Sequence, residues 1–189
     1  QRADYHPEVD TGVHTMMVIE TAAAMATSLP VRFAALVHDL GKGTTPDDVL
    51  PRHIGHEGRS VPLIEAVCQR LRVPTECREL ALVVAREHGN IHRCDGFDAA
   101  ALVRLLERCD ALRKPDRFRQ ALQACEADAR GRLGFEDRSY PQTARLLRAL
   151  EAASSIDAGA VAMRHADSPA HIKQAVHQAR IEAVAQAGV

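Results

Sequence analysis

Two adjacent side chains of metal-binding type, His38 and Asp39, close an apolar stretch and run straight into glycine in Leu36-Val37-His38-Asp39-Leu40-Gly41-Lys42-Gly43. Inside a helix, neighbouring side chains diverge by about 100°, whereas a helix end lets them converge on one point. Glycine beside them lets backbone and bound group come close. Three more polar residues stand where the pattern calls for apolar ones. His14 lies within the most apolar helical segment, His88 continues the Leu80–Val84 stripe at i+4 spacing, and Asp110 continues the Leu102–Leu106 stripe in the same way. A carboxylate on an inward face is costly unless it is paired or bound to a metal. Several such residues on different helices suggest one shared cation.

The chemistry this would serve is hydrolytic. Two imidazoles and two carboxylates leave coordination positions open for water and a phosphate oxygen. Ligation by nitrogen and oxygen without thiolate suits Mn, Fe, Co, Ni, Zn or Mg better than a structural zinc site. Each residue also has a plainer reading. His38-Asp39 can be a helix-end pair compensating the dipole, His14 a hydrogen-bonded core histidine, and Asp110 a buried acid paired with Arg104 or Arg86. Lys42 can be a C-terminal helix charge or a phosphate contact. His56 can simply open a helix beside Glu57.

The elements that must position these residues are helices. A helix from Asp10 or Thr11 to about Ser28 is apolar on nearly every face, the mark of a buried central helix. Pro30 opens a short helix through Leu40, stopped by Gly41 and Gly43. Thr44 to Gly55, with Pro46 and Pro51, reads as a loop. Helices are predicted over Glu57–Arg72, Thr75–His88, Asp98–Leu112 and Pro115–Arg130. Beyond Gly131–Gly134 come Pro141–Ala153, Ala158–His165 and Ser168–Gln186.

Composition agrees with an all-α fold: of 189 residues 46% are hydrophobic and 3% aromatic, and there is no Trp. A formal charge of −1 leaves no overall field to attract nucleic acid or an anionic membrane. The five cysteines show no CxxC spacing, which fits buried core residues in a reducing cytosol rather than disulfides or a zinc ribbon. No stretch reads as a membrane span or signal peptide. The opening Gln1 is what an excised piece of a longer protein would show. The basic residues Arg130, Arg132, Arg138, Arg145, Arg148, Lys173 and Arg180 are interrupted by Glu136, Asp137 and Glu151. They read as a solvated helical face, with a tRNA-facing strip as the alternative.

The order His14 … His38-Asp39 … Asp110 resembles the HD superfamily of metal-dependent phosphohydrolases. More narrowly, His38-Asp39-Leu40-Gly41-Lys42-Gly43 with Thr45-Pro46, followed by Pro51-Arg52-His53-Ile54-Gly55-His56-Glu57, is similar to the C-terminal HD domain of bacterial CCA-adding tRNA nucleotidyltransferases. The resemblance implies an HD-domain helical bundle, here expected over residues 1–113, with a C-terminal helical extension over 114–189. It implies metal ligation by His14, His38, Asp39 and Asp110, with catalytic roles for Asp39, Lys42, His56 and His88. The cofactor implied is a divalent cation (Ni, Mn, Co or Mg). The substrates implied are 2′,3′-cyclic phosphodiesters, 2′-nucleotides and phosphomonoesters, with the tRNA 3′ end and an N-terminal nucleotidyltransferase domain as partners and a homodimer left open. The Gly-Gly-Ser loop and paired aspartates of the polymerising domain do not occur, so CCA addition is not expected of this chain alone.

Overall fold

In the computed structural model, residues 8–165 and 169–189 are described, the side chain of Pro169 excepted. Among these residues the chain forms nine α-helices and no strand, as composition predicts. They are α1 (Thr11–Ala24), α2 (Leu29–Val37), α3 (His56–Leu71), α4 (Thr75–His92), α5 (Ala99–Arg108), α6 (Pro115–Arg130), α7 (Pro141–Ser154), α8 (Ala158–Arg164) and α9 (Pro169–Gln186). Short 3₁₀ turns cover Leu40–Thr44 and Cys94–Gly96. Ser168, predicted to start the last helix, lies outside the described residues. Among the described residues no helix is long and apolar enough to cross a membrane.

Two compact units are formed, one from Gln1–His92 and Arg119–Tyr140, the other from Arg93–Phe118 and Pro141–Val189. This division departs from the boundary expected at 113/114. The physical reason lies in α6, which from Arg119 onward belongs to the first unit: Ala127 packs with Val18 and Ala22 of α1 and Ala35 of α2. Just beyond, Gly131 sits against α1 so closely that a Cβ there would lie 2.6 Å from the Val18 Cα. In the first unit α4 packs on α2 and α3, and α1 packs on α2. In the second, α9 lies against α5, α7 and α8. There Arg145 donates to the carbonyls of Cys94 (2.6 Å) and Phe97 (2.7 Å), tying α7 to the second 3₁₀ turn.

Helix α1 is not apolar on all sides in its packing. His14, Val18 and Ala22, spaced i, i+4, i+8, are buried, while Val13 and Met16 are half exposed. It also ends at Ala24 rather than Ser28. Ala26 turns left-handed (φ 52°), with Thr27 N–H donating to the Ala22 carbonyl (3.2 Å). Arg72 (φ 52°) ends α3 in the same way, with Val73 N–H on the Cys68 carbonyl (3.0 Å). This C-terminal motif satisfies otherwise unbonded carbonyls and usually recruits glycine. At α1, without glycine or proline, it leaves no stop signal in the sequence, whereas α3 ends within one residue of its predicted end. Conversely, α4 runs through Gly89-Asn90 to His92, four residues past its predicted end, with the Asn90 side chain donating to Glu87 Oε2 at 2.9 Å. A single Gly costs a helix only about 1 kcal/mol, which tertiary packing overrides. All five cysteines are buried and unbridged.

Candidate metal centre

Helix α2 stops at Val37, so His38 and Asp39 occupy the turn beyond it (φ −56° and −103°) before the first 3₁₀ turn. That turn is pinned onto α3. Gly41 N–H donates to Ser60 Oγ at 2.8 Å, and any side chain at 41 would collide with the His56 carbonyl oxygen and the Ser60 backbone nitrogen. Glycine is therefore required here for close approach. Arg59 braces the same loop from α3, donating to Gly41 O (3.3 Å), Thr44 Oγ1 (3.1 Å), Thr45 Oγ1 (2.9 Å) and Ile54 O (2.7 Å). The result delivers Asp39, Lys42 and His56 to one place.

Three imidazoles there are oriented alike. Nδ1–H of His38 donates to Ala35 O (2.8 Å), that of His56 to His53 O (2.8 Å), and that of His88 to Val84 O (3.0 Å). With Nδ1 committed, each turns Nε2 toward the carboxylate of Asp39, at 3.3 Å to Oδ2 from His38 and at 3.1 and 3.6 Å to Oδ1 from His56 and His88. The Nε2 atoms of His56 and His88 face each other at 3.2 Å. Two neutral imidazoles that have given away their Nδ1–H would meet there lone pair to lone pair, which calls for a cation or proton between them. His38, Asp39 and His88 each offer a donor atom, all within 4.8 Å of one another. His38 Nε2 and Asp39 Oδ1 are buried and make no hydrogen bond among the described residues. Lys42 Nζ closes on Asp39 Oδ2 at 2.6 Å.

A second carboxylate completes the cluster, and it is Asp128 of α6. Its Oδ1 lies 2.9 Å from His14 Nε2 and 3.7 Å from His38 Nε2, and its Oδ2 lies 2.7 Å from His92 Nε2. Behind these, His14 Nδ1 meets Glu8 Oε1 (2.9 Å), and His92 Nδ1 meets the Tyr140 hydroxyl (2.9 Å). Carboxylates and carbonyls behind imidazoles are how metal-binding histidines are held.

The electrostatics are tightly coupled. Burial would lower the His38 pKa, but the charges of Asp39 and Asp128 outweigh it and hold it well above the ordinary value. Burial would raise both acids, yet His38 with His56 and His88 keeps Asp39 well down, and His38 with His14 and His92 does the same for Asp128. For His56, burial is again outweighed, by the neighbouring Asp39 carboxylate, and its pKa is raised. For His88 burial wins over Asp39, and the pKa is pushed down to about 4. Neutral imidazole at 88 is the form that can ligate.

Of the residues singled out in the sequence, the structure brings together His14, His38, Asp39, Lys42, His56 and His88. Asp110 is the one it does not bring there. Helix α5 ends at Arg108, and Asp110 turns left-handed (φ 54°), with Ala111 N–H on the Leu106 carbonyl at 2.9 Å. The i+4 projection from Leu106 therefore fails. The carboxylate is bound by Arg113 (2.6 Å) and approached by Arg117 (3.6 Å), not by Arg104 or Arg86. Sequence reasoning misses Asp128, and offers His92 only as a surface residue or one behind the ligands; the structure has it behind Asp128. Both carried the usable signal: Asp128 stands four residues after buried Ala124, and His92 four after His88.

The HD domain family matches residues 11–130, a span that begins before His14 and ends after Asp128. The chain belongs to the HD domain family. It is 82% identical over its whole length to the multifunctional CCA protein of Ralstonia nicotianae, of which it covers 44%. It is 75% identical over 98% of its length to that of Cupriavidus taiwanensis, covering 45%, and 72% identical over 99% to that of Burkholderia mallei, also covering 45%. The chain thus spans less than half the length of these curated relatives. No solved structure matches it.

Proposed function

We propose that this chain is a divalent-metal-dependent phosphohydrolase, with the metal held by His14, His38, Asp39 and Asp128. The observation that carries this reading is the shared orientation of three imidazoles: Nδ1 given to backbone carbonyls, Nε2 turned onto a buried carboxylate. The orphaned atoms His38 Nε2 and Asp39 Oδ1, and the facing nitrogens of His56 and His88, fit a divalent cation (Ni, Mn, Co or Mg) by donor chemistry. Such a cation, when bound, acidifies a water and offsets charge on a phosphoryl oxygen. Asp39, kept ionised by His38, would help orient or deprotonate a water at the centre. Lys42 and His56 offer positive charge or hydrogen bonds to the phosphate, while neutral His88 serves catalysis through its Nε2 lone pair, turned to the cation.

The substrates we assign are 2′,3′-cyclic phosphodiesters, 2′-nucleotides and phosphomonoesters, met in the cytoplasm as small nucleotides or at the tRNA 3′ end. In a longer chain this domain would follow a nucleotidyltransferase domain, and we assign it to tRNA 3′-end repair. The support is the similarity to multifunctional CCA proteins together with the hydrolytic character of the donor set.

A panel of Ni²⁺, Mn²⁺, Co²⁺ and Mg²⁺ against 2′,3′-cyclic AMP, 2′-AMP and p-nitrophenyl phosphate tests it. Metal-stimulated hydrolysis is expected, lost in His38→Ala and Asp39→Ala while circular dichroism stays helical. Unchanged turnover in either variant, or none in the parent with any metal, rejects the reading. Silence combined with salt-sensitive tRNA binding would point to a docking module instead.

A further inference from the structure

Arg132 stands at the edge of the cluster with almost nothing to hold. Its Nη2 lies 3.7 Å from Asp128 Oδ2, beyond hydrogen-bond distance, and its Nε is buried without a hydrogen bond among the described residues. Asp128 does not need it, because His14 and His92 already bond its two oxygens at 2.9 and 2.7 Å. The side chain is 21% exposed, so the guanidinium reaches both the buried centre and solvent. Its place is set by the backbone: Gly131, pressed against Val18, fixes the residue that follows. Phe135 N–H bonds the Arg132 carbonyl at 2.9 Å.

A guanidinium with an unused donor, always charged and shaped for two-oxygen contacts, is a receptor for a phosphate group. We propose that Arg132 binds the phosphate of the substrate and favours dianionic monoesters such as 2′-nucleotides over monoanionic cyclic diesters. This rests on the phosphohydrolase reading for its substrates but not for its binding claim. The preference follows from charge. A monoester carries close to two negative charges at neutral pH, and a cyclic diester carries one. Lys42, by contrast, is already closed on Asp39.

The test uses the full chain, Arg132→Met to remove the charge at similar length, and Arg132→Lys to keep it. Inorganic phosphate is titrated calorimetrically, and divalent-metal affinity is measured in parallel. Loss of one charge-assisted phosphate contact should weaken phosphate binding about 10–100-fold in Arg132→Met. Partial recovery is expected in Arg132→Lys, with metal affinity unchanged. In turnover assays the KM for 2′-AMP should rise more than that for 2′,3′-cyclic AMP. Unchanged phosphate affinity in Arg132→Met, no phosphate binding by the parent, or equal effects on both substrates would overturn the proposal. So would a loss that comes only with lost metal affinity, because Arg132 would then merely brace Asp128. If Arg132→Met loses phosphate binding in a chain that hydrolyses nothing, the binding role stands and the catalytic reading falls.

Discussion

In the unit made of Gln1–His92 and Arg119–Tyr140, the interior holds His14, His38, Asp39, Glu87, His88 and Asp128. In the unit made of Arg93–Phe118 and Pro141–Val189, it holds Leu102, Leu105, Leu106, Leu146, Leu150 and Val184. Every buried polar or charged residue among those described belongs to the first. Burying ionisable groups costs free energy that leucines do not incur. The second unit shows the apolar packing this composition gives when no polar or charged side chain is buried among the described residues. The first instead buries imidazoles and carboxylates together, and that difference, more than any single residue, marks the candidate metal centre.

The two acids Asp128 and Asp110 sharpen the contrast, since both stand four residues after a buried apolar one. The largest expected effect is at Asp128. Replacing it with alanine strands His14, His38 and His92 without their common partner. Metal-stimulated hydrolysis should fall by more than the ~10–100-fold typical of residues that merely orient a ligand. Titration of Mn²⁺ or Ni²⁺ should show weakened binding. If Asp128→Ala keeps both, the carboxylate at 128 is structural and the contrast between the two interiors weakens.

The next effect lies in the other unit and concerns stability. Leu106 is fully buried there. Leu106→Ala should cost about 2–5 kcal/mol through lost transfer energy and the cavity left behind, read from urea denaturation. Metal affinity of the folded chain should not change, because no residue of that unit belongs to the cluster. Weakened metal binding in the folded variant would show that the two interiors are not independent.

Why Asp39 was legible and Asp128 was not follows from how each is placed. The doublet His38-Asp39 and the glycines after it act locally, so their spacing in sequence is their geometry in space. Even the close approach at Gly41 is implied by the residue type. The fold class was equally readable, because helix patterning is local too. Asp128 reaches His14 across 114 positions, and nothing short-range announces that pairing. Asp110 misled because the stripe Leu102–Leu106 promises a next position on the same face. The left-handed turn that cancels the promise is made by an aspartate rather than a glycine. The same silent ending hid the stop of α1 at Ala24, while Gly89-Asn90 suggested a break that α4 does not take.

The smallest effect is accordingly expected at Asp110. Its bond to Arg113 lowers its pKa, with Arg117 and Lys114 adding to the pull against partial burial. A depressed carboxylate contributes stability above its unfolded pKa, and that contribution fades as pH falls through the folded value. Asparagine keeps the side-chain shape and tolerates the left-handed backbone, giving up only a screened surface pair. Asp110→Asn should therefore change stability at pH 7 by no more than about 0.5 kcal/mol and flatten the acid limb of the stability profile slightly. Metal affinity and hydrolysis should match the parent. If Asp110→Asn instead lost metal binding, the centre would draw on this residue after all, and the division between a functional and a purely structural interior would have to be redrawn.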